Sequence, residues 1–435
     1  MAPRQRGCPA RNWHHCRFWR RGLRVGRFWL VSLFPISALM SVKTLSAIDV
    51  SQRIGAARDL VANTDSSSPC VALLVTSGVN IRWLTGFTGS AGMLLMSLRH
   101  DAPSYLITDG RYIAQAEQQL RVSNSPVEII EKRLVKEQLQ FVVSKIQENQ
   151  ESASDVCLGI ESHDVSVELL QQLEAEVASQ RSGAEKLTWT AIQEVFVDLR
   201  RSKTPAELER ITLAASIADS ALQSVVHLLL PGISEVQFCL HLDHAMREMG
   251  AQDVSFPSIV AFGENSALPH HRPSRKVLSE DEVVVIDFGA LVDGYHSDMT
   301  RSFVCTDGST ARGQELLARF DAVKLACEEG GKLVAPGVSA ASIDARCREV
   351  LAQAGLENEL NHGIGHGVGL LIHEAPWINP RSLDVLCEND VVTVEPGAYR
   401  MGLGGVRVED LFIVSSAGHI NISRSPKTPY SSLNV

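Results

Sequence analysis

The run Glu280-Asp281-Glu282-Val283-Val284-Val285-Ile286-Asp287-Phe288-Gly289-Ala290 returns without a gap as Glu388-Asn389-Asp390-Val391-Val392-Thr393-Val394-Glu395-Pro396-Gly397-Ala398. Each copy is a short β-branched stretch bounded by charge on one side and glycine on the other, the composition of a buried strand. Each also ends in a carboxylate. An ionised acid at the end of such a strand needs a cation, a hydrogen-bond network or a metal to offset its lost hydration. The same placement occurring twice points to one shared site.

The duplication is wider than the strands. Pro231-Gly232-Ile233-Ser234 leads through a helical pattern to Gly250, and Pro336-Gly337-Val338-Ser339 leads through another to Gly355. Downstream, Asp298 precedes Met299-Thr300-Arg301-Ser302-Phe303-Val304, and Glu409 precedes Asp410-Leu411-Phe412-Ile413-Val414. Helix, strand with a terminal acid, and second strand with an acid therefore form one unit present in two copies. Repetition on this scale predicts a domain with pseudo-two-fold internal symmetry, its halves meeting across a cleft where Asp287, Asp298, Glu395 and Glu409 converge.

At 435 residues the chain is long enough for two cores. The net charge of −9 argues against nucleic acid as a partner, because such partners call for basic stripes. Nine cysteines without a CxxC pair fit a reduced, cytoplasmic setting. Among them Cys305, Cys327, Cys347 and Cys387 are read as packing residues.

Residues 1–40 are set apart. They hold eight arginines and no acid, so removing them takes the formal charge from −9 to −17. Their apolar stretch is shorter than the roughly 20 residues that span a bilayer, and no membrane association is expected. The reading is a disordered extension or an upstream start, with a signal peptide and export as the alternative. Residues 41–185 alternate as an α/β domain, with strands at 71–75 and 104–108 and a helix at 166–179. The glycine-rich stretch 80–90 reads as a loop. A linker is expected over 186–199, the second domain over 200–425, and a tail over 426–435. Thr204-Pro205 is a natural cap and first turn for the helix that opens the second domain.

Histidine supplies the remaining chemistry, at His270 and in His362-Gly363-Ile364-Gly365-His366-Gly367-Val368-Gly369-Leu370-Leu371-Ile372-His373. A lone Asp at a strand end is commonly a cap, a lone histidine a core residue, and Arg407 a salt-bridge partner. Four duplicated acids beside a glycine-flanked histidine change that balance toward metal. Imidazole suits Zn, Fe, Mn or Co, and the oxygen-rich remainder points to the harder ions. Such a set can hold two divalent ions that activate water and polarise a carbonyl.

The stretch 53–414 resembles the pita-bread metallopeptidase family preceded by a creatinase-type N-terminal domain. The motifs behind the resemblance are the Asp of Ile286-Asp287-Phe288-Gly289, an Asp before Thr300-Arg301, the HGxGHxxG pattern from His362 to Gly369, Glu395-Pro396-Gly397, and a Glu after Arg407-Val408. The implied fold is an α/β N-terminal domain followed by an α+β pita-bread catalytic domain. The implied metal ligands are Asp287, Asp298, His366, Glu395 and Glu409, with Asp298 and Glu409 shared between two ions. Manganese is the implied metal, with cobalt or zinc as alternatives.

The resemblance also assigns roles. His270 and His373 would face the scissile carbonyl, His362 would line the proline side, and Glu395 would carry the proton. Arg407 would face the substrate or order Glu409. The likeness is to Xaa-Pro aminopeptidases first and to Xaa-Pro dipeptidases, or prolidases, next. It implies hydrolysis of peptides with proline in second place by a hydroxide held between the ions, and a homo-oligomer, dimer or tetramer. The N-terminal domain would narrow the cleft. A non-catalytic binding protein on the same fold is the reading from another class, and it would be expected to have lost a ligand. His271, directly after His270, leaves open which of the two faces substrate.

Overall fold

The computed structural model describes residues 44–62, 70–148, 156–180, 187–192 and 195–429. The basic extension 1–40, the small polar run 182–185 and the last part of the expected tail, 430–435, lie outside the described residues.

The chain enters on α1 (Arg53–Ala62) and continues through β1 (Cys70–Val75), α2 (Gly78–Thr85), β2 (Met93–Ser97), β3 (Tyr105–Thr108), α3 (Ile113–Val122), β4 (Glu128–Glu131), α4 (Val135–Glu148), β5 (Val156–Ile160), α5 (Val167–Gln180) and β6 (Leu187–Ala191). The strands form one mixed sheet in the order β4-β3-β2-β1-β5-β6. Because side chains alternate along a strand, Leu73 and Val75 face one core while Ala72 and Leu74 face another. Helices α4 and α5 cover the second of these faces with Leu139, Val142 and Leu173. The other face packs on α1, α2 and α3 and also on Ile211, Val368 and Leu411 of the second domain, so one core runs across both domains.

Two expectations change here. The stretch 80–90 is a helix in its first part, since α2 buries Ile81, Trp83 and Leu84 and ends where Gly86 turns left-handed at φ 79°. Its aromatic and β-branched residues read as strand or loop, and tertiary burial overrides that propensity. The stretch 186–199 is not a bare linker. Its described part contains β6, paired in parallel with β5 from Leu187 to Ala191, and the start of α6 (Val195–Arg201).

The second domain opens on α7 (Pro205–Val225), held by a full capping box between Thr204 and Glu207. With the turn through Leu228 it is long and apolar enough to cross a bilayer. Here its apolar face is buried in the core it shares with the next helix. There follow α8 (Glu235–Glu248), β7 (Asp253–Val254), β8 (Ile259–Phe262), β9 (Glu282–Phe288), β10 (Ala290–Val292), β11 (Tyr295–His296) and β12 (Met299–Cys305). The second half supplies α9 (Ala311–Gly331), α10 (Ala340–Gln353), β13 (Gly365–Gly367), β14 (Glu374–Ile378), β15 (Val391–Val394), β16 (Gly397–Arg400), β17 (Gly404–Arg407), β18 (Asp410–Ser415) and β19 (Gly418–Asn421).

The internal repeat extends to backbone detail. Strand β9 pairs with β12 as β15 pairs with β18, both antiparallel. Gly232 and Gly337 both have positive φ, as do Gly250 and Gly355, and so do the non-glycine pair Asp281 and Asn389. Ser234 bridges Val277 where Ser339 bridges Val385. Left-handed backbone at non-glycine residues is uncommon, so its occurrence at matched positions marks two copies of one structural unit.

Candidate metal centre

The four acids sit where paired strands begin or end. Asp287 is the penultimate residue of β9, Asp298 immediately precedes β12, Glu395 immediately follows β15, and Glu409 immediately precedes β18. Antiparallel pairing puts the end of one strand beside the start of the next, so Asp287 is opposite Thr300 and Val394 opposite Asp410. The two halves thus deliver two acids each. His366 comes from the middle of β13, which pairs with β15.

The geometry brings all five side chains to one cavity of about 540 Å³. Donor atoms of Asp298, His366 and Glu409 lie within 4.8 Å of one another. The His366 Nδ1–H donates to the Gly367 carbonyl at 3.0 Å, which leaves the Nε2 lone pair facing Asp298 Oδ2 and Glu395 Oε1, each 3.6 Å away. A lone pair directed at carboxylate oxygens is repulsive unless a proton or a cation lies between them. Asp287 Oδ1 is buried without a hydrogen-bond partner, so it too is a donor awaiting a cation.

Electrostatics agree with the geometry. Burial, then the neighbouring acids Glu409, Asp287 and Glu395, pushes the Asp298 carboxyl far above its ordinary range. Burial with Glu395 and Asp287 does the same to Glu409. Glu395 is pushed up to about 7, chiefly by burial. Burial lowers His366 to about 3, so the ring is neutral and able to coordinate. These residues fit a divalent cation: they are oxygen-rich, desolvated, mutually repelling, and aimed at one point.

Arg407 is the supporting cation. Its guanidinium donates to Asp287 Oδ2 at 2.5 Å, Thr300 Oγ1 at 3.0 Å, the Tyr399 hydroxyl at 3.0 Å and the Pro269 carbonyl at 3.3 Å. Thr300 in turn donates to Glu409 Oε2 at 2.7 Å. Arg407 lines the cavity but is fully engaged with protein atoms. That arrangement favours ordering Asp287 and Glu409 over touching substrate.

The histidines separate by their partners. His271 donates from Nε2 to the buried Glu235 carboxylate at 2.9 Å, whereas His270 is exposed on the cavity and, among the described residues, faces no partner of that kind. Both line the cavity, and His271 is the one whose ring is tied to a buried carboxylate. His373 packs edge-on against His366 with ring centroids 4.4 Å apart, and burial lowers its pKa. His362 donates from Nδ1 to the Gly363 carbonyl at 2.6 Å and accepts from the Tyr399 hydroxyl at 3.0 Å. Burial, then Arg407, brings it down to about 4. Tyr399 and Glu235 escape sequence reasoning because no spacing marks them, and Thr300 stands there only as part of a motif, without a role.

Among the described residues, the lining of this cavity comes from the second domain. All its lining residues fall between Phe256 and Glu409. Of the four thiols read as packing residues, Cys327 and Cys347 are fully buried, Cys305 is partly so, and Cys387 is exposed.

The chain matches the Creatinase/Prolidase N-terminal domain over residues 53–201 and Metallopeptidase family M24 over residues 209–416. It is 35% identical over 355 residues to the peptidase YqhT of Bacillus subtilis, an alignment that spans 82% of this chain and 94% of that protein. The chain belongs to metallopeptidase family M24. Among solved structures, this M24 chain is similar to the Xaa-Pro dipeptidase from Bacillus anthracis, with a TM-score of 0.77 and 32% identity over 88% of this chain and 99% of that one. It is also similar to the X-Pro aminopeptidase from Thermotoga maritima, with a TM-score of 0.73 and 28% identity over 83% and 98%. The two-domain pita-bread architecture expected for an M24 peptidase of this kind is thus the fold observed.

Proposed function

We propose that this M24 peptidase is an Xaa-Pro aminopeptidase, which cleaves the bond between the first residue of a peptide and a proline in second place. The observation that carries this reading is the convergence of Asp287, Asp298, His366, Glu395 and Glu409 on a cavity also lined by Phe256, Pro257, Ile259, Ile372 and Trp377. Donor groups beside apolar side chains suit a substrate that combines a scissile carbonyl with a proline ring. Similarity to both an Xaa-Pro dipeptidase and an X-Pro aminopeptidase supports that substrate class.

The five donors would hold two divalent ions, manganese by family resemblance, which when bound polarise a carbonyl and acidify water. The remaining chemistry belongs to the chain. Glu395, on the cavity wall beside His366, is the carboxylate placed to take a proton from the attacking water and deliver it to the leaving prolyl nitrogen. That nitrogen is a tertiary amide with no hydrogen of its own, so it must be protonated to leave. His270 and His373, both on the cavity, are the groups for the carbonyl oxygen as its charge grows. His362, oriented by Tyr399 and Gly363, serves the proline side.

The mouth favours an aminopeptidase. Trp377 on the cavity wall is 46% exposed, which leaves room beside it for a chain continuing beyond proline. Arg272 favours the second reading, an Xaa-Pro dipeptidase. It lines the same cavity and, among the described residues, has no ion-pair or hydrogen-bond partner, so it is free to take a carboxylate. Turnover of Ala-Pro and Ala-Pro-Ala, measured after chelation and again with manganese, tests both. Activity is expected only with metal, with Ala-Pro-Ala the better substrate. Cleavage of Ala-Pro alone selects the dipeptidase, and undiminished activity after exhaustive chelation rejects the scheme.

A further inference from the structure

Among the described residues none of the N-terminal domain lines the cavity, yet a chain of buried polar side chains runs from that domain to the residue next to His373 on the cavity wall. Glu161, just past β5, is fully buried and accepts from the backbone N–H groups of Thr76 at 2.7 Å and Ser77 at 2.8 Å. Its other oxygen accepts from the Asn80 amide in α2, and the Asn80 carbonyl oxygen accepts from Arg200 in α6. The Arg200 guanidinium lies 3.8 Å from Glu374 Oε2, and Lys203 Nζ donates to Glu374 Oε1 at 2.7 Å. The Lys203 and Glu374 side chains are 2% and 3% exposed. The residue preceding Glu374 is His373.

Glu374 also bears on the strand that carries His366. It is in register with Gly367 of β13, and a Cβ at Gly369 would come within 2.4 Å of Glu374 Oε1. The glycine at 369 therefore leaves the space that the carboxylate fills. A buried ion pair of this sort adds little net stability, since desolvation offsets most of the attraction. What it does supply is a fixed position, because each charge is held where its partner is.

We infer that Glu374 is a positioning residue, through which the N-terminal domain, by Asn80 and Arg200, sets the place of His373 against His366 in the cavity. The N-terminal domain thereby becomes part of the catalytic apparatus without contacting substrate. The kinetic half of the test rests on the peptidase reading above, and the spectroscopic half does not.

The test compares wild type with Glu374→Gln in the full chain. Because the His373 ring stands edge-on at 4.4 Å from that of His366, its imidazole resonances sense small displacements. They can be recorded in protein with labelled histidine, loaded with diamagnetic zinc, and identified by their loss in His373→Gln. The His373 signal is expected to move in Glu374→Gln while the metal content stays at the wild-type value. With manganese, kcat on an Xaa-Pro peptide is expected to fall by about tenfold to a hundredfold at near-constant KM, the scale of an ångström misplacement. A His373 signal at its wild-type position overturns the inference, whatever happens to kcat. A moved signal with no cleavage of Xaa-Pro peptides by wild type sustains the positioning role and rejects the peptidase reading instead. Should Glu374→Gln not fold, Lys203→Met combined with Glu374→Leu fills the joint with apolar groups and gives the same readings.

Discussion

Glu235 Oε2 and His271 Nε2 stand 2.9 Å apart, joining the first turn of α8 to the loop that carries His270. The carboxylate also accepts from Phe262 N, Asn265 Nδ2, Ser274 N and Ser274 Oγ, so residues on both sides of His270 are tied to one buried anion. Burial would raise this carboxyl, but the bonds from Ser274, Asn265, His271 and Phe262 outweigh it and hold the pKa below the ordinary 4.5. A depressed folded pKa means stability that is fully present above 4.5 and is lost as pH falls through the lower folded value. Glu235→Gln is therefore expected to cost about 2–4 kcal/mol at pH 7 in urea denaturation. The deficit relative to wild type should shrink as pH drops below 4.5, and a deficit that is constant with pH would contradict the assignment.

The acids of the candidate metal centre predict the opposite slope. Glu395 has its folded pKa raised from 4.5 to about 7, chiefly by burial. Between those values the native protein without metal binds more protons than the unfolded chain, so its stability should fall as pH rises from 4.5 to about 7. A divalent cation removes the reason for the shift, and its binding should release protons near neutral pH. Thermal unfolding of chelated and manganese-loaded protein across this range, with calorimetry in buffers of different ionisation enthalpy, reads both effects. Parallel pH profiles and no proton release would mean that no cation sits among these acids.

The parts of this molecule that sequence alone makes legible are those where chemistry and periodicity coincide. Asp287 and Glu395 stand out because an acid ends an apolar run, and the repeat of Pro231-Gly232 as Pro336-Gly337 marks two equivalent halves before any coordinate is known. Strand β6 was hidden because Thr188 and Trp189, exposed at the sheet edge, lack the apolar run of the central strands. Helix α2 was hidden because eight residues are too few to show helical periodicity. Asn80, Arg200 and Glu374 are single polar letters in the sequence, and only folding brings them into line. The role of Glu235 is equally silent, since an acid in the first turn of a helix is expected for the helix dipole alone.

Arg272 is the group on the cavity wall that bears on whether a free carboxylate can be held there. Among the described residues the arginines and lysines on its wall are Arg272 and Arg407, and Arg407 already donates to Asp287, Thr300, Tyr399 and Pro269. His362 and His373 have lowered pKa values and offer no fixed positive charge near neutral pH. The anchoring of His271 and Ser274 on Glu235 fixes the backbone on both sides of Arg272, so its side chain starts from a preorganised position. If it takes the carboxylate of a short substrate, wild type should show a lower KM for Ala-Pro than for Ala-Pro amide, by about tenfold or more for a charge-assisted bond. Arg272→Gln should bring that ratio close to one, and Arg272→Glu should invert it. A ratio unchanged between wild type and Arg272→Gln would assign the arginine to solvent and remove the structural case for the dipeptidase.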